Sequence, residues 1–334
     1  MELADNLVNS GQRIAEVDLG AFLNGTLEER HKIAQEVDHI CRSIGFLVIV
    51  NHGVSEDLCN AAWSSAESFF DLSSEQKGMS QSNDVGCPRG YFPIEGETLG
   101  RTMGNDTPPD RKETFSIGPL APPTGCEDGE DFHFFYGPNI WPVEPNNFKD
   151  DWTSYYREME KLGSQIMELL AVALKLDKDF FVKYHTHHIS ALRSQNYPSS
   201  SSPLLPGQLR AGAHSDYGTV TILNPDPKVG GLEVLSTSGK WIKPPVVENA
   251  FVINIGDLMA RWTNDRWVST LHRVVEPDTN SAAQSPTRQS IAYFMNPNFD
   301  AKISVIPTCH DNRKEQYPSV LAGSYLMDKF KISI

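Results

Sequence analysis

The chain has 334 residues, enough to bury a large core, and its composition of 39% hydrophobic and 22% charged residues is that of a soluble globular protein. A formal net charge of −14 repels nucleic acid and anionic membranes, so neither is expected as a partner, and an anionic substrate would need a local basic pocket. No apolar run is long enough to cross a bilayer. The five cysteines (Cys41, Cys59, Cys87, Cys126 and Cys309) are widely spaced, odd in number and without a C-x-x-C, which argues for reduced thiols and against a disulfide framework or a cysteine zinc site. The start, MELADNLVNSGQR, is polar and acidic, with neither signal nor transit peptide in view, so a cytoplasmic location is expected. The sequons at Asn24 and Asn105 carry no weight without a secretion signal.

Thr26 and Glu29 form a capping box, and Ile33, Val37, Ile40 and Ile44 follow at helical spacing. Gly45–Val54, GFLVIVNHGV, reads as a buried strand ending in a turn. Ser55 stands where it can cap a second helix with Leu58, Ala62, Phe69 and Phe70 on its apolar face. From Ser80 to Glu144 the chain is rich in Gly, Pro, Asn and Asp and reads as loop or short hairpin, of the kind that forms lids. A long helix is expected over about Asp150–Leu176, with Trp152, Tyr156, Met159, Leu162, Ile166, Leu169 and Leu170 in one stripe. Beyond it come short apolar runs divided by Gly, Pro and Asn: ALRSQNYP, TVTIL, GLEVL, AFVINI, HRVVEP, RQSIAYFM and KISVI. This texture is that of an all-β barrel or sandwich.

The fold expected is therefore mainly β with flanking helices, in a single compact unit over 1–334. Residues 1–180 would form an N-terminal helical support with an early strand and lid-like loops. Residues 181–310 would form the β core and 311–334 a closing helix.

Ahead of TVTIL stands His214-Ser215-Asp216. In a strand, residues i and i+2 share a face, so an imidazole and a carboxylate would lie side by side. His272, 56 residues beyond Asp216, opens another predicted strand. Two histidines and a carboxylate on one face form the open triad that suits Fe(II) and O₂. Taken alone, H-x-D is more often a polar turn than a pair of ligands. A further 16 residues on, Arg288, Ser290, Ala292 and Phe294 share one strand face. An inward arginine fork with a serine hydroxyl binds a carboxylate; an inward arginine without an anion carries a heavy desolvation cost.

These blocks together resemble the non-haem Fe(II)/2-oxoglutarate-dependent oxygenases of the isopenicillin N synthase-like family. The blocks that carry the resemblance are GFLVIVNHGV, DRKETFSIG, NIWP, HSDYGTVTIL, GGLEVL, FVINIGDLMARWTNDRWVSTLHRV, RQSIAYFMNPN and YPSVLAGSYLMDKF. The resemblance implies a distorted double-stranded β-helix, or jelly roll. It implies iron held by His214, Asp216 and His272, with 2-oxoglutarate and O₂ as co-substrates. The distal carboxylate of 2-oxoglutarate would meet Arg288 and Ser290, with Tyr197 and Gln195 beside it, although Gln195 and Asn196 replace the family's asparagine and first tyrosine. The reaction implied oxidises a C–H bond of a small molecule in specialised metabolism, by hydroxylation, desaturation or ring closure, and releases succinate and CO₂.

Two alternatives stay open at this point: an oxidase of the same family that uses no oxoacid, and a non-catalytic jelly-roll binding or sensor protein. A zinc hydrolase would share the triad but has no need of Arg288 and Ser290. Candidate substrate contacts are Arg193, Tyr217 and Phe294 by strand parity or adjacency, and Arg89, Tyr91 and Arg101 in the Gly-rich loop. The arginines point to a carboxylate-bearing or amino-acid-like substrate; a flavonoid, a nucleobase or a terpenoid acid also stays open. The active species is expected to be a monomer.

Overall fold

The computed structural model describes residues 11–84, 87–104, 107–123, 130–199, 204–277, 286–310 and 314–333; Cys126 and the Asn105 sequon lie outside them. Among the described residues, Cys41, Cys59, Cys87 and Cys309 are free thiols, and no helix is long and apolar enough to cross a membrane.

The N-terminal part supplies more strand than its sequence announces. It runs β1 (Ala15–Asp18), α1 (Leu19–Asn24), α2 (Leu27–Ser43), β2 (Phe46–Val50), α3 (Glu56–Phe70), α4 (Ser74–Gly78), β3 (Gly90–Phe92), β4 (Glu113–Ile117), α5 (Glu130–Tyr136) and α6 (Phe148–Ala173). The Thr26–Glu29 capping box starts α2 in both of its hydrogen-bonding directions, whereas Ser55 precedes α3 without a side-chain cap bond. Gly45 ends α2 at φ +63°, and a Cβ there would stand 2.1 Å from the Val268 carbonyl oxygen, so only glycine fits between helix and strand.

The remainder holds β5 (Ala191–Tyr197), β6 (Ala211–His214), β7 (Val220–Asn224), β8 (Leu232–Leu235), β9 (Trp241–Ile242), β10 (Phe251–Ile255), α7 (Asp257–Trp262), β11 (His272–Val274), β12 (Arg288–Met295), β13 (Lys302–Ile303), β14 (Val320–Leu321) and α8 (Ala322–Ser333). Eight strands form one sheet in the order β1-β2-β10-β7-β12-β5-β4-β3, and β6-β11-β8-β9 form a second. These two sheets are the walls of a distorted double-stranded β-helix with flanking helices, the fold class expected.

The correction concerns the N-terminal part. Four of its strands, not one, complete the large sheet, because β1 and β3 are too short to show a period. β4 is buried along its whole length, so its alternation of polar and apolar residues does not report a wet face. Glu113 in β4 is satisfied inside by Lys77 Nζ at 2.8 Å, Tyr91 Oη at 2.5 Å and Asn196 Nδ2 at 2.8 Å.

The apolar stripe of α6 packs on the large sheet. Tyr156 meets Tyr293 edge to face at 5.4 Å and donates to the Ser190 carbonyl at 3.0 Å. Gly163 lets α6 approach β12, since a Cβ there would lie 2.8 Å from Met295 Sδ. With one face of β12 committed to α6 through Ile291, Tyr293 and Met295, the residues of opposite parity turn toward the barrel interior.

Candidate active site

His214 ends β6 and His272 begins β11, and the two are direct cross-strand partners in the small sheet. The pairing slips between them and the next pair, Ala211 with Val274: two residues of β6, Gly212 and Ala213, stand against one of β11, Arg273. That is a β-bulge, which bends the strand and re-aims His214. The backbone N–H of Gly212, inside the bulge, donates to Asp110 Oδ1 at 2.8 Å, and its carbonyl accepts from His214 Nδ1 at 2.7 Å. His272 Nδ1 lies 3.3 Å from the Thr270 carbonyl. Both rings are thereby turned with Nε2 toward the same space, their centroids 4.3 Å apart.

Asp216 is not on a strand. The strand stops at His214, and Asp216 lies in the turn that carries the chain from the small sheet to the large one. Strand parity is therefore not what places the carboxylate. Thr221 Oγ1 donates to its Oδ2 at 2.5 Å and Asn254 Nδ2 at 2.7 Å, while the Asp216 carbonyl accepts from Asp257 N at 2.7 Å. With Oδ2 so engaged, Oδ1 faces His272 Nε2 at 3.7 Å and His214 Nε2 at 3.8 Å. One ligand atom from each of the three residues lies within 4.8 Å of the others.

The electrostatics match a metal site. Burial, and then the neighbouring His272 ring, push His214 down to about 3, so its imidazole is neutral at neutral pH. Burial alone would raise the Asp216 carboxyl, but the two imidazoles and the bonds from Thr221 and Asn254 together hold it below the usual carboxylate range. Two imidazoles and one carboxylate, each oriented by its other polar atom, are the donor set that a 2-His-1-carboxylate metal centre requires. The residues present therefore fit Fe(II).

A second cluster comes from the ladder between β5 and β12, where Arg288 pairs with Tyr197, Ser290 with Gln195 and Ala292 with Arg193. Arg288 is 2% exposed, and its guanidinium lies 4.9 Å from the Tyr197 ring centroid and donates to Ser290 Oγ at 3.3 Å. Ser290 Oγ donates in turn to Gln195 Oε1 at 3.2 Å. Among the described residues, Arg288 Nε has no hydrogen-bond partner. A buried guanidinium with an idle donor is what a bound carboxylate would satisfy, so this cluster fits 2-oxoglutarate.

A cavity opens beside His214 and Asp216, walled also by Tyr217, Gln195, Arg193 and Phe294 among others, while His272 does not line it. Arg288 does not line it; it lines a second cavity together with Val48, Trp63, Asn224 and Val252. Tyr217 packs edge to face on Phe330 of α8, and Leu326 and Phe330 close one side. The Gly-rich loop does cover the site, through Arg89, Phe92, Glu97 and Leu99.

Several expected substrate contacts are corrected. Tyr91 points away from the cavity, into the bond with Glu113 and against Phe69, because in the β3–β4 register Phe92 and not Tyr91 shares the face of Thr114. Arg101 is exposed in the short 3₁₀ turn Leu99–Met103, off the cavity wall. Arg89 is on the wall, but its guanidinium donates to the carbonyls of Phe134 and Phe135. Arg193 also faces the cavity, but it is no free cation: its NH2 donates to Glu97 Oε1 at 2.6 Å and to Thr114 Oγ1 at 2.9 Å. Glu97 and Lys112 escape sequence reasoning altogether. Glu97 sits in loop text without periodicity, and Lys112 stands inside the DRKETFSIG block with nothing in its spacing to single it out.

Comparison with known proteins agrees with this geometry. Residues 14–144 match the family described as non-haem dioxygenase in morphine synthesis N-terminal, and residues 181–297 match the 2OG-Fe(II) oxygenase superfamily. A validamycin A dioxygenase of Streptomyces hygroscopicus subsp. limoneus is 33% identical over 86% of this chain and 78% of its own length. The homoarginine-6-hydroxylase 2-ODD-233 of Oryza sativa subsp. japonica is 30% identical over 97% of this chain and 95% of its own. A full-length Neurospora crassa protein, solved in complex with alpha-KG (2-oxoglutarate) and thymine, superposes with a TM-score of 0.83 at 31% identity, covering 95% of this chain and 96% of that one.

Proposed function

The chain belongs to the 2OG-Fe(II) oxygenase superfamily and is a 2-oxoglutarate-dependent dioxygenase that uses Fe(II) and acts on small molecules; from that premise we propose the roles of its residues and the reaction it performs. His214, Asp216 and His272 hold the iron through Nε2, Oδ1 and Nε2. Arg288 and Ser290 anchor the distal carboxylate of 2-oxoglutarate, with Tyr197 stacked on the guanidinium and Gln195 holding the serine hydroxyl. Bound together, the metal and co-substrate supply the oxidising power: O₂ and 2-oxoglutarate are converted to succinate and CO₂ as a C–H bond of the substrate is oxidised.

The protein's own part is positional. Asn254 and Thr221 keep Asp216 from turning, so Oδ1 stays toward the two histidines that would hold the metal with it. Arg288 lies in a dry environment where a carboxylate contact is strong. Phe294, Tyr217, Leu326 and Phe330 give the substrate an apolar seat and keep water from the reacting carbon. All the proposed ligands come from one chain, so the reading needs no oligomer.

The named relatives act on or bind chemically unlike molecules, and they favour the oxidation of an unactivated C–H bond in specialised metabolism without selecting a substrate. The observation that carries the reading is the convergence of three ligand atoms within 4.8 Å, each with its second polar atom already engaged. Succinate release from 2-oxoglutarate, measured across a small-molecule panel, tests it. The wild type should show substrate-stimulated succinate, and Asp216→Ala should lose it by at least about a hundredfold. Full turnover by Asp216→Ala would refute the ligand assignment.

A further inference from the structure

His214 and the loop that covers the cavity are held by one carboxylate. Asp110 is 2% exposed and stands just ahead of β4. Its Oδ1 accepts the Gly212 N–H at 2.8 Å and its Oδ2 the Leu99 N–H at 3.1 Å, while Lys112 Nζ lies 3.3 Å from Oδ2. The Asp110 N–H donates to the Glu97 carbonyl at 2.9 Å, so the loop is bonded to this residue twice. On the other side, the Gly212 carbonyl accepts from His214 Nδ1 at 2.7 Å. An unbroken path of hydrogen bonds thus runs from the Leu99 amide through the Asp110 carboxylate and the Gly212 peptide to the His214 imidazole.

Packing follows the same path. Glu97 and Leu99 line the cavity beside His214 and Asp216. Leu99 also packs against the cluster of Tyr197, Ala211 and Val274, which joins the ring stacked on Arg288 to both strands that carry the histidines. Gly212 and Gly100 lie against each other: a Cβ on Gly212 would stand 3.0 Å from Gly100 N and 3.2 Å from Asp110 Oδ1. A buried carboxylate with both oxygens engaged lets neither the loop nor the bulge shift alone. The position calls for a carboxylate because both partners are donors: its two oxygens accept, whereas a side-chain amide accepts through one only.

We propose that Asp110 is a positioning residue that couples the cover of the cavity to the metal. It sets His214 through Gly212 and the Leu99–Met103 turn through Leu99. Fixing His214 on iron then firms the cover, and by linkage filling the cavity bears on the metal ligand. This rests on the oxygenase reading, since the coupling reaches iron only if His214 binds it.

The test follows amide hydrogen exchange of the full-length apoprotein under anaerobic conditions, without and with saturating Fe(II) as the only probe. In the wild type, Fe(II) should slow exchange at 211–217 and also at 97–103, the latter by at least about fivefold, the worth of one hydrogen bond. Asp110→Asn keeps the size of the side chain but offers one acceptor to two N–H groups, so whichever way the amide turns the path is cut. Fe(II) should then still protect 211–217, while its effect at 97–103 falls below about twofold. Equal protection of 97–103 in variant and wild type would overturn the proposal. Loss of protection in both segments at saturating metal would overturn it too, because it would mark a general loosening of the fold. Should Asp110→Asn fail to fold, Gly212→Ala sets a methyl against Gly100 N and is read by the same two segments. No protection at 211–217 in the wild type would count against the iron site itself, whereas protection there with none at 97–103 would count against the coupling alone.

Discussion

Asp216 shows how much of a metal site lies in residues that never touch the metal. Its Oδ2 is held by Thr221 and Asn254, and only that leaves Oδ1 facing the two histidines. Asn254→Leu should therefore weaken Fe(II) binding by about 10–100-fold while the fold persists, as read by metal titration of the apoprotein; unchanged affinity would mean that the turn alone positions the carboxylate. H-x-D, the distal histidine and R-x-S were legible as residue types because their chemistry is rare in apolar strand text. Asn254 was not, for it looks like any polar residue in FVINI. Nor was the fate of Arg193 legible: its partner Glu97 lies 96 residues away, in a loop with no period.

At the scale of elements, the strands of the second half and the long helix are readable from sequence, and the helix falls at Phe148–Ala173 against an expected Asp150–Leu176. What sequence does not carry is the bulge in β6 and the end of that strand at His214. Both come from pairing with β11 and from Asp110 holding Gly212, contacts made at long range. The segment after α6 adds a pH response. His185 bonds through Nδ1 to the Phe181 carbonyl at 3.0 Å, while Nε2 has no hydrogen-bond partner among the described residues. Burial pushes its pKa down from the usual histidine value to about 4. The unfolded chain then binds a proton that the folded one refuses, so stability falls as pH drops from about 6.5 toward 4 and is regained above that window. At pH 5 this one residue costs on the order of 1–2 kcal/mol relative to pH 7.5. Urea melts of the apoprotein at both pH values should show that difference shrink in His185→Gln; an unaltered difference would assign the slope elsewhere, His214 and His52 being the other imidazoles held below the usual histidine value.

For the molecule as a whole, we propose that residues 1–180, 181–310 and 311–334 fold as one unit. β1 and β2 extend one edge of the large sheet and β4 and β3 the other, and Leu326 and Phe330 of α8 close one side of the cavity beside His214 and Asp216. The proposed site thus draws on both sheets: metal ligands from the small sheet and the crossover turn, the proposed carboxylate anchor from the large sheet, and a cover from the loop and the last helix. The measurement that bears most directly on this account is an anaerobic titration of the apoprotein with Fe(II) and then 2-oxoglutarate, followed by visible absorption. The wild type should develop the metal-to-ligand charge-transfer band with one iron and one 2-oxoglutarate per chain. Asp216→Ala should not develop it, and Arg288→Gln should need at least about tenfold more 2-oxoglutarate. A band that forms equally well in both variants would contradict the assignment of iron to His214, Asp216 and His272 and of the co-substrate to Arg288.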